Sequence, residues 1–190
     1  MLTHALKHEL LGIARSSIAA ALQQGLFRRN TSPVSSRELQ QQCGAFVTIR
    51  IDHELRGCIG YMESPLPLAE AVAEVAVKAA LDDPRFPPLT LAELDRATLE
   101  ISILSPLHRI HSKDGVKVGE HGVMLELGSN KGVLLPQVAT EYGWDAEQFL
   151  EGLCRKSGLH RMAWKDPDAR ISVFTAEVID EESVLREHPA

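Results

Sequence analysis

The chain has 190 residues, 44% of them hydrophobic and 24% charged, which is enough to bury one sizeable core or two small ones and excludes a disordered or fibrous class. A formal net charge of −6 argues against nucleic-acid binding, which an overall positive field would favour. No apolar run approaches the ~20 residues that span a bilayer, and charges interrupt MLTHALKHELLGIAR where a signal peptide needs an apolar stretch, so cytoplasmic residence without membrane association is expected.

From the N-terminus, Leu6, Leu10, Ile13, Ile18 and Ala21 recur at helical spacing and predict an amphipathic helix that Gly25 ends. Residues 28–42 (RRNTSPVSSRELQQQ) are polar and read as a linking loop with one short helical turn. AFVTIRI (45–51) and ELRGCIGY (54–61) flank Asp52-His53 and predict a hairpin. Leu66–Leu81 reads as a helix of small residues, ended by Asp82-Asp83-Pro84; prolines 84, 87 and 88 then force DPRFPPL to be extended. TLEISIL (98–104) is a strand, and His108–Asp114 a loop.

Further strands are expected near Val116–Val118, Gly122–Leu127 and Gly132–Leu135, then a helix from Ala146 to Ser157. Asp145 with Gln148 has the form of a capping box, and Gly158 stands where a C-terminal glycine belongs. Strand, proline loop and helix thus occur twice, hinting at duplicated β-rich halves. A last strand runs from Ile171 to Ile179, and the tail EESVLREHPA is expected to fray.

The strand ELRGCIGY holds the best candidate site. Side chains alternate along a strand, so Arg56, Cys58 and Gly60 share one face, and a guanidinium beside a thiol would favour the thiolate. Gly57 and Gly60 leave room for close approach; equally, Cys58 is an inert buried hydrophobe and the glycines mark a bulge. Glu100 and Ser102 share a face of TLEISIL, lining the same surface if the strands pair, or facing solvent. Asp83 and Arg85, beside Phe86 on a stiff proline mount, either present charge or pair with each other. His121 is a candidate base for the thiol or a metal ligand, Gln137 and Trp144 flank the second helix, and Lys156 suits its C-terminal dipole. Cys43, Cys58 and Cys154 lie far apart with no CxxC, and the histidines show no HExxH or HxH, so no disulfide or metal site is indicated and the thiols are expected reduced.

LRGCIG at 55–60 resembles the signature hexapeptide of the AMMECR domain family. AFVTIR, AALDDPRFPPLT, LEISILSP, VGEHGVMLE, LLPQVATEYGW and FLEGLCRKSGL resemble further family blocks, in order, across residues 43–175. The chain reads KSGL at 156–159 where KAGL is commoner, and its N-terminal 40 residues match little. The resemblance implies a single AMMECR domain over residues 1–190 with an α+β fold of two β-α repeats. The larger lobe would include both chain ends and the smaller the middle of the chain, with an extra N-terminal helix and a cleft between lobes. The motif positions carried over are Arg56, Gly57, Cys58, Gly60, Asp83, Arg85, Phe86, Ser102, His121, Gln137, Trp144 and Lys156.

Bacterial and archaeal relatives, called AmmeMemoRadiSam system protein A, accompany a Memo-like and a radical-SAM protein, which the resemblance makes the expected partners. No reaction or cofactor comes with it. Three readings stay open. One is a ligand- or partner-binding component; the second is an enzyme using the Cys58 thiolate, with Arg56 and His121, on a small or nucleotide-like substrate. The third is an RNA-binding or RNA-modifying protein, suggested by Arg28-Arg29, Arg155-Lys156 and Arg161 with Trp164.

Overall fold

The structure is a computed structural model that describes residues 2–24 and 36–186; the expected stop at Gly25 and most of the expected linker lie outside them. In chain order its elements are α1 (His4–Gln24), β1 (Ala45–Ile51), β2 (Glu54–Tyr61), α2 (Leu68–Leu81), α3 (Leu91–Leu94), β3 (Ala97–Leu104) and β4 (His108–Ile110). A 3₁₀ turn at Lys113–Gly115 leads to β5 (His121–Leu127), β6 (Asn130–Leu134), α4 (Pro136–Glu141) and α5 (Ala146–Lys156). A second turn at Ala163–Lys165 precedes β7 (Arg170–Asp180) and α6 (Glu181–Arg186). The fold is α+β, and its chain divides into two compact units, 1–104 with 177–190 and 105–176.

In the first unit the strands run in the order β2-β1-β3-β7, β7 contributing its last residues. The β1–β2 hairpin turns at Asp52 and His53, both at positive φ (52° and 67°), the left-handed pair a two-residue type I′ turn requires. Val47, Ile49, Leu99 and Ile101 are buried on the face that receives α2. α2 is buried almost all round because α1 covers its other side, and that position selects alanine and valine over larger side chains. The helix approaches so closely that a Cβ at Gly57 would stand 2.1 Å from the Ala79 carbonyl oxygen.

The N-terminal helix is integral to this unit. Leu10, Ala14 and Ile18, each fully buried, form its stripe. Arg15 donates to Glu181 of α6 and to the carbonyls of Leu94 and Ala97, while Glu181 also accepts the Leu99 N–H. One ion pair therefore joins α1, α6 and β3.

The second unit repeats the scheme: the hairpin β5–β6 is followed by helices, and β5 pairs with the returning β7, as β1 pairs with β3. β4 takes the other edge of β7. Phe149, Leu150, Leu153 and Cys154 of α5 pack on Val123, Leu125, Ile171 and Val173. The expected capping box is present, Asp145 accepting the Gln148 N–H while the Gln148 side chain accepts the Asp145 N–H. At its other end Gly158 (φ 72°) and Leu159 close α5 with N–H bonds to the carbonyls of Arg155 and Cys154.

Three expectations are corrected. Residues 116–118 are not a strand but loop and turn, since no neighbouring strand takes up their hydrogen bonds. The expected loop from His108 begins as β4, which β7 templates. Residues 181–186 of the tail form α6, with Val184 buried against the first core, and the last four residues lie outside the described ones. Among the described residues no helix is long and apolar enough to cross a membrane.

Candidate functional site

Strand register decides what shares a surface with Cys58. Thr48 stands opposite Cys58 on one side and Glu100 on the other, and Phe46 stands between Gly60 and Ser102 in the same way. Cys58, Thr48, Glu100, Phe46 and Ser102 therefore lie on the sheet face away from α2. Thr48 Oγ1 donates to Cys58 Sγ at 3.3 Å. Gly60 is required because a Cβ there would come within 2.2 Å of the Phe46 ring.

β2 is an edge strand, with unpaired backbone groups that normally need cover. The proline segment supplies it. Asp83 Oδ2 accepts the Cys58 N–H at 2.9 Å, and Arg85 Nη2 donates to the Cys58 carbonyl at 3.2 Å. Asp83 and Arg85 are themselves paired, Nε to Oδ1 at 2.9 Å and Nη2 to Oδ2 at 2.6 Å, and Asp83 Oδ1 also accepts the Arg85 backbone N–H. The two side chains so act as a short artificial strand closing the edge at Cys58. The hydrogen bonds from Arg85, with that from the Cys58 N–H, hold the Asp83 carboxyl well below the usual carboxylate range. Its side chain is only 2% exposed, whereas that of Arg85 is 54% exposed.

Arg56 requires a correction. The register between β1 and β2 shifts at Ile49/Arg50, which leaves Arg56 as the extra residue of a bulge. Its guanidinium is committed to Glu93 (Nε to Oε1, 2.9 Å) and to the carbonyls of Pro87 and Pro88, so the thiolate-activating role read from strand alternation has no free guanidinium behind it. Arg56, followed by the Thr90 N–H, lowers the Glu93 carboxyl to about 2. Phe86 lies between the two arginines, its ring centroid 6.0 Å from the Arg56 and 5.5 Å from the Arg85 guanidinium carbon. Cys58, half-buried, has both charges of the Asp83–Arg85 pair beside its backbone.

Glu93 and Thr48 are the functional neighbours that sequence reasoning missed. Thr90-Leu-Ala-Glu93 has the capping-box form, and the box is made, so Glu93 was findable as a helix start but not as the partner of Arg56. Thr48 was visible only as the polar position of AFVTIRI.

His121, Gln137, Trp144 and Lys156 belong to the second unit. His121 starts β5, its Nδ1 3.2 Å from the Lys117 backbone nitrogen. Trp144 packs across Gly152 and stacks on the exposed Tyr142 with centroids 4.8 Å apart, with the Arg155 guanidinium 5.8 Å from the indole. Gln137 lies half-buried in α4, and Lys156 ends α5. Among the described residues no group of three or more His, Cys, Asp or Glu side chains is placed to hold a metal ion.

Comparison with known proteins finds the family model AMMECR1 matching residues 11–179. Protein TK0174 of Thermococcus kodakarensis is 44% identical over 155 residues, covering 76% of each chain. Protein MJ0810 of Methanocaldococcus jannaschii is 45% identical over 146 residues, 73% of each. The crystal structure of the uncharacterized protein PH0010 from Pyrococcus horikoshii superposes with a TM-score of 0.83 at 38% identity, covering 90% of this chain and 88% of that one.

Proposed function

This chain belongs to the AMMECR1 family, and from that premise we propose that it is a binding component acting with Memo-like and radical-SAM proteins, which it meets through the Cys58–Asp83–Arg85 edge of its first unit. The observation that carries the reading is the division of labour among the motif's charges. Arg56 and Asp83 are consumed by internal bonds, while Arg85 is held by one side of its guanidinium and projects the rest from a rigid ledge of exposed Pro84, Pro87 and Pro88. A pre-ordered guanidinium is suited to a carboxylate or other anion on a partner, because little side-chain entropy remains to be lost. The partners themselves are supplied by the family resemblance.

The test is size-exclusion chromatography of the purified chain with each partner protein. Cys58→Ala should leave the complex intact, and Arg85→Glu, checked for folding by circular dichroism, should abolish it. A complex indifferent to Arg85→Glu, or no complex with either protein, refutes the reading.

A second reading, thiolate chemistry at Cys58, is favoured by one feature, the Thr48 hydroxyl donating to Sγ. It expects iodoacetamide to label Cys58 ahead of Cys43 and Cys154 in the native protein. Labelling of Cys58 no faster than that of Cys43 and Cys154 overturns it.

A further inference from the structure

Apart from the Cys58 edge, the second unit holds a depression of about 530 Å³, within the roughly 300–1,000 Å³ usual for small-molecule sites. It is walled by β4, the two 3₁₀ turns and the first turn of α5. Its floor is apolar, with Ile110, Trp164 and Ile171 all drawn from the second core. Its rim carries Arg109, Lys113 and Lys165.

The rim charges are unevenly satisfied. Asp114 and Asp166 are turned to their own loops, Asp114 accepting from the Ser112 hydroxyl and Asp166 from the Asp168 N–H. Glu147 alone answers two ammonium groups, Lys113 at 2.7 Å and Lys165 at 3.2 Å. Lys165 Nζ also stands 4.7 Å from the centroid of the Trp164 ring. The Arg109 guanidinium has no ion-pair or hydrogen-bond partner among the described residues. The hollow thus joins an apolar, partly aromatic floor to one guanidinium uncommitted among the described residues and two lysines that share a single carboxylate.

We infer that this depression binds a small organic anion, its apolar body on Trp164 and Ile110 and its carboxylate or phosphate on Arg109. Burying the flat body supplies affinity, and the guanidinium fork fixes the head group. Glu147 competes with the incoming anion for Lys113 and Lys165, so it limits affinity.

Phenyl phosphate is the probe, with inorganic phosphate and phenol as its separated halves, followed through the indole N–H resonances of the full chain by NMR. The chain has two tryptophans, and Trp164→Phe identifies which resonance is which. Phenyl phosphate should shift the Trp164 signal saturably and bind more tightly than either half. Arg109→Ala should weaken it about tenfold, the loss of roughly one good charged contact, and Glu147→Gln should tighten it. Absence of a saturable shift, equal binding of inorganic phosphate, or an unchanged affinity in Arg109→Ala each overturns the site.

Discussion

Replacing Asp83 with alanine removes the acceptor for the Cys58 N–H, the Arg85 N–H and two nitrogens of the Arg85 guanidinium. A hydrogen bond to a buried charged acceptor contributes about 1.5–3 kcal/mol, whereas the pairing with the half-exposed Arg85 is screened by water and adds at most about 1 kcal/mol. One such bond, to the Cys58 N–H, together with that pairing comes to roughly 2–4 kcal/mol, which for a chain of this size lowers Tm by about 5–15 °C. Asp83→Asn keeps one acceptor oxygen and should lose roughly half as much. Urea and thermal unfolding followed by circular dichroism measure both variants. Because the folded carboxyl is held below its unfolded value of about 3.9, its contribution is complete above that pH and disappears as pH falls through the lowered folded value. The gap between wild type and Asp83→Asn should therefore be full at neutral pH and close in acid. An Asp83→Ala protein melting within about 2 °C of wild type would refute the account of the stapled edge.

Gly57→Ala should cost about 1–3 kcal/mol or prevent folding, because the new methyl meets the rigid Ala79 carbonyl; urea unfolding reads the loss. Gly60→Ala clashes with the Phe46 ring, so Phe46→Ala should relieve part of its penalty in a double-mutant cycle, and strict additivity would count against the contact. Asp145→Ala removes the cap of α5 and should lower stability by about 1 kcal/mol in the same assay. Cys154, fully buried and with its thiol pushed up by burial, should resist iodoacetamide in the native protein and react on unfolding, as mass spectrometry can follow. Arg15→Ala leaves Glu181 without its cation and should lower Tm, which an N-terminal helix merely resting on the surface would not do.

How much of the site was legible depended on the range of the interaction that makes it. Strand alternation placed Cys58 and Gly60 together, and Glu100 with Ser102, from sequence alone, because the side-chain period of a strand is local. The same rule failed at Arg56, since a bulge is a property of two strands and one strand cannot announce it. Asp83 and Arg85 pair with each other two residues apart, a contact that sequence proximity allows, but their grip on Cys58 spans 25 and 27 residues.

By itself the sequence determined the hairpin at Asp52-His53 and the two ends of α5, while the α+β class came from the family resemblance. The hairpin and the helix ends rest on periodicity, turn chemistry or capping within a few residues. Tertiary structure alone decided that Arg56 belongs to Glu93, 37 residues away, that Arg85 rather than Arg56 is the outward charge, and that the tail becomes α6. It also turned Val116–Val118 from an apparent strand into loop, and gathered Arg109, Glu147 and Trp164 around one hollow. The physical reason is the same in each case: a hydrogen-bonding or charged group takes the partner that the packed chain brings within about 3 Å, and that partner is set by strand register and helix packing rather than by neighbours in sequence.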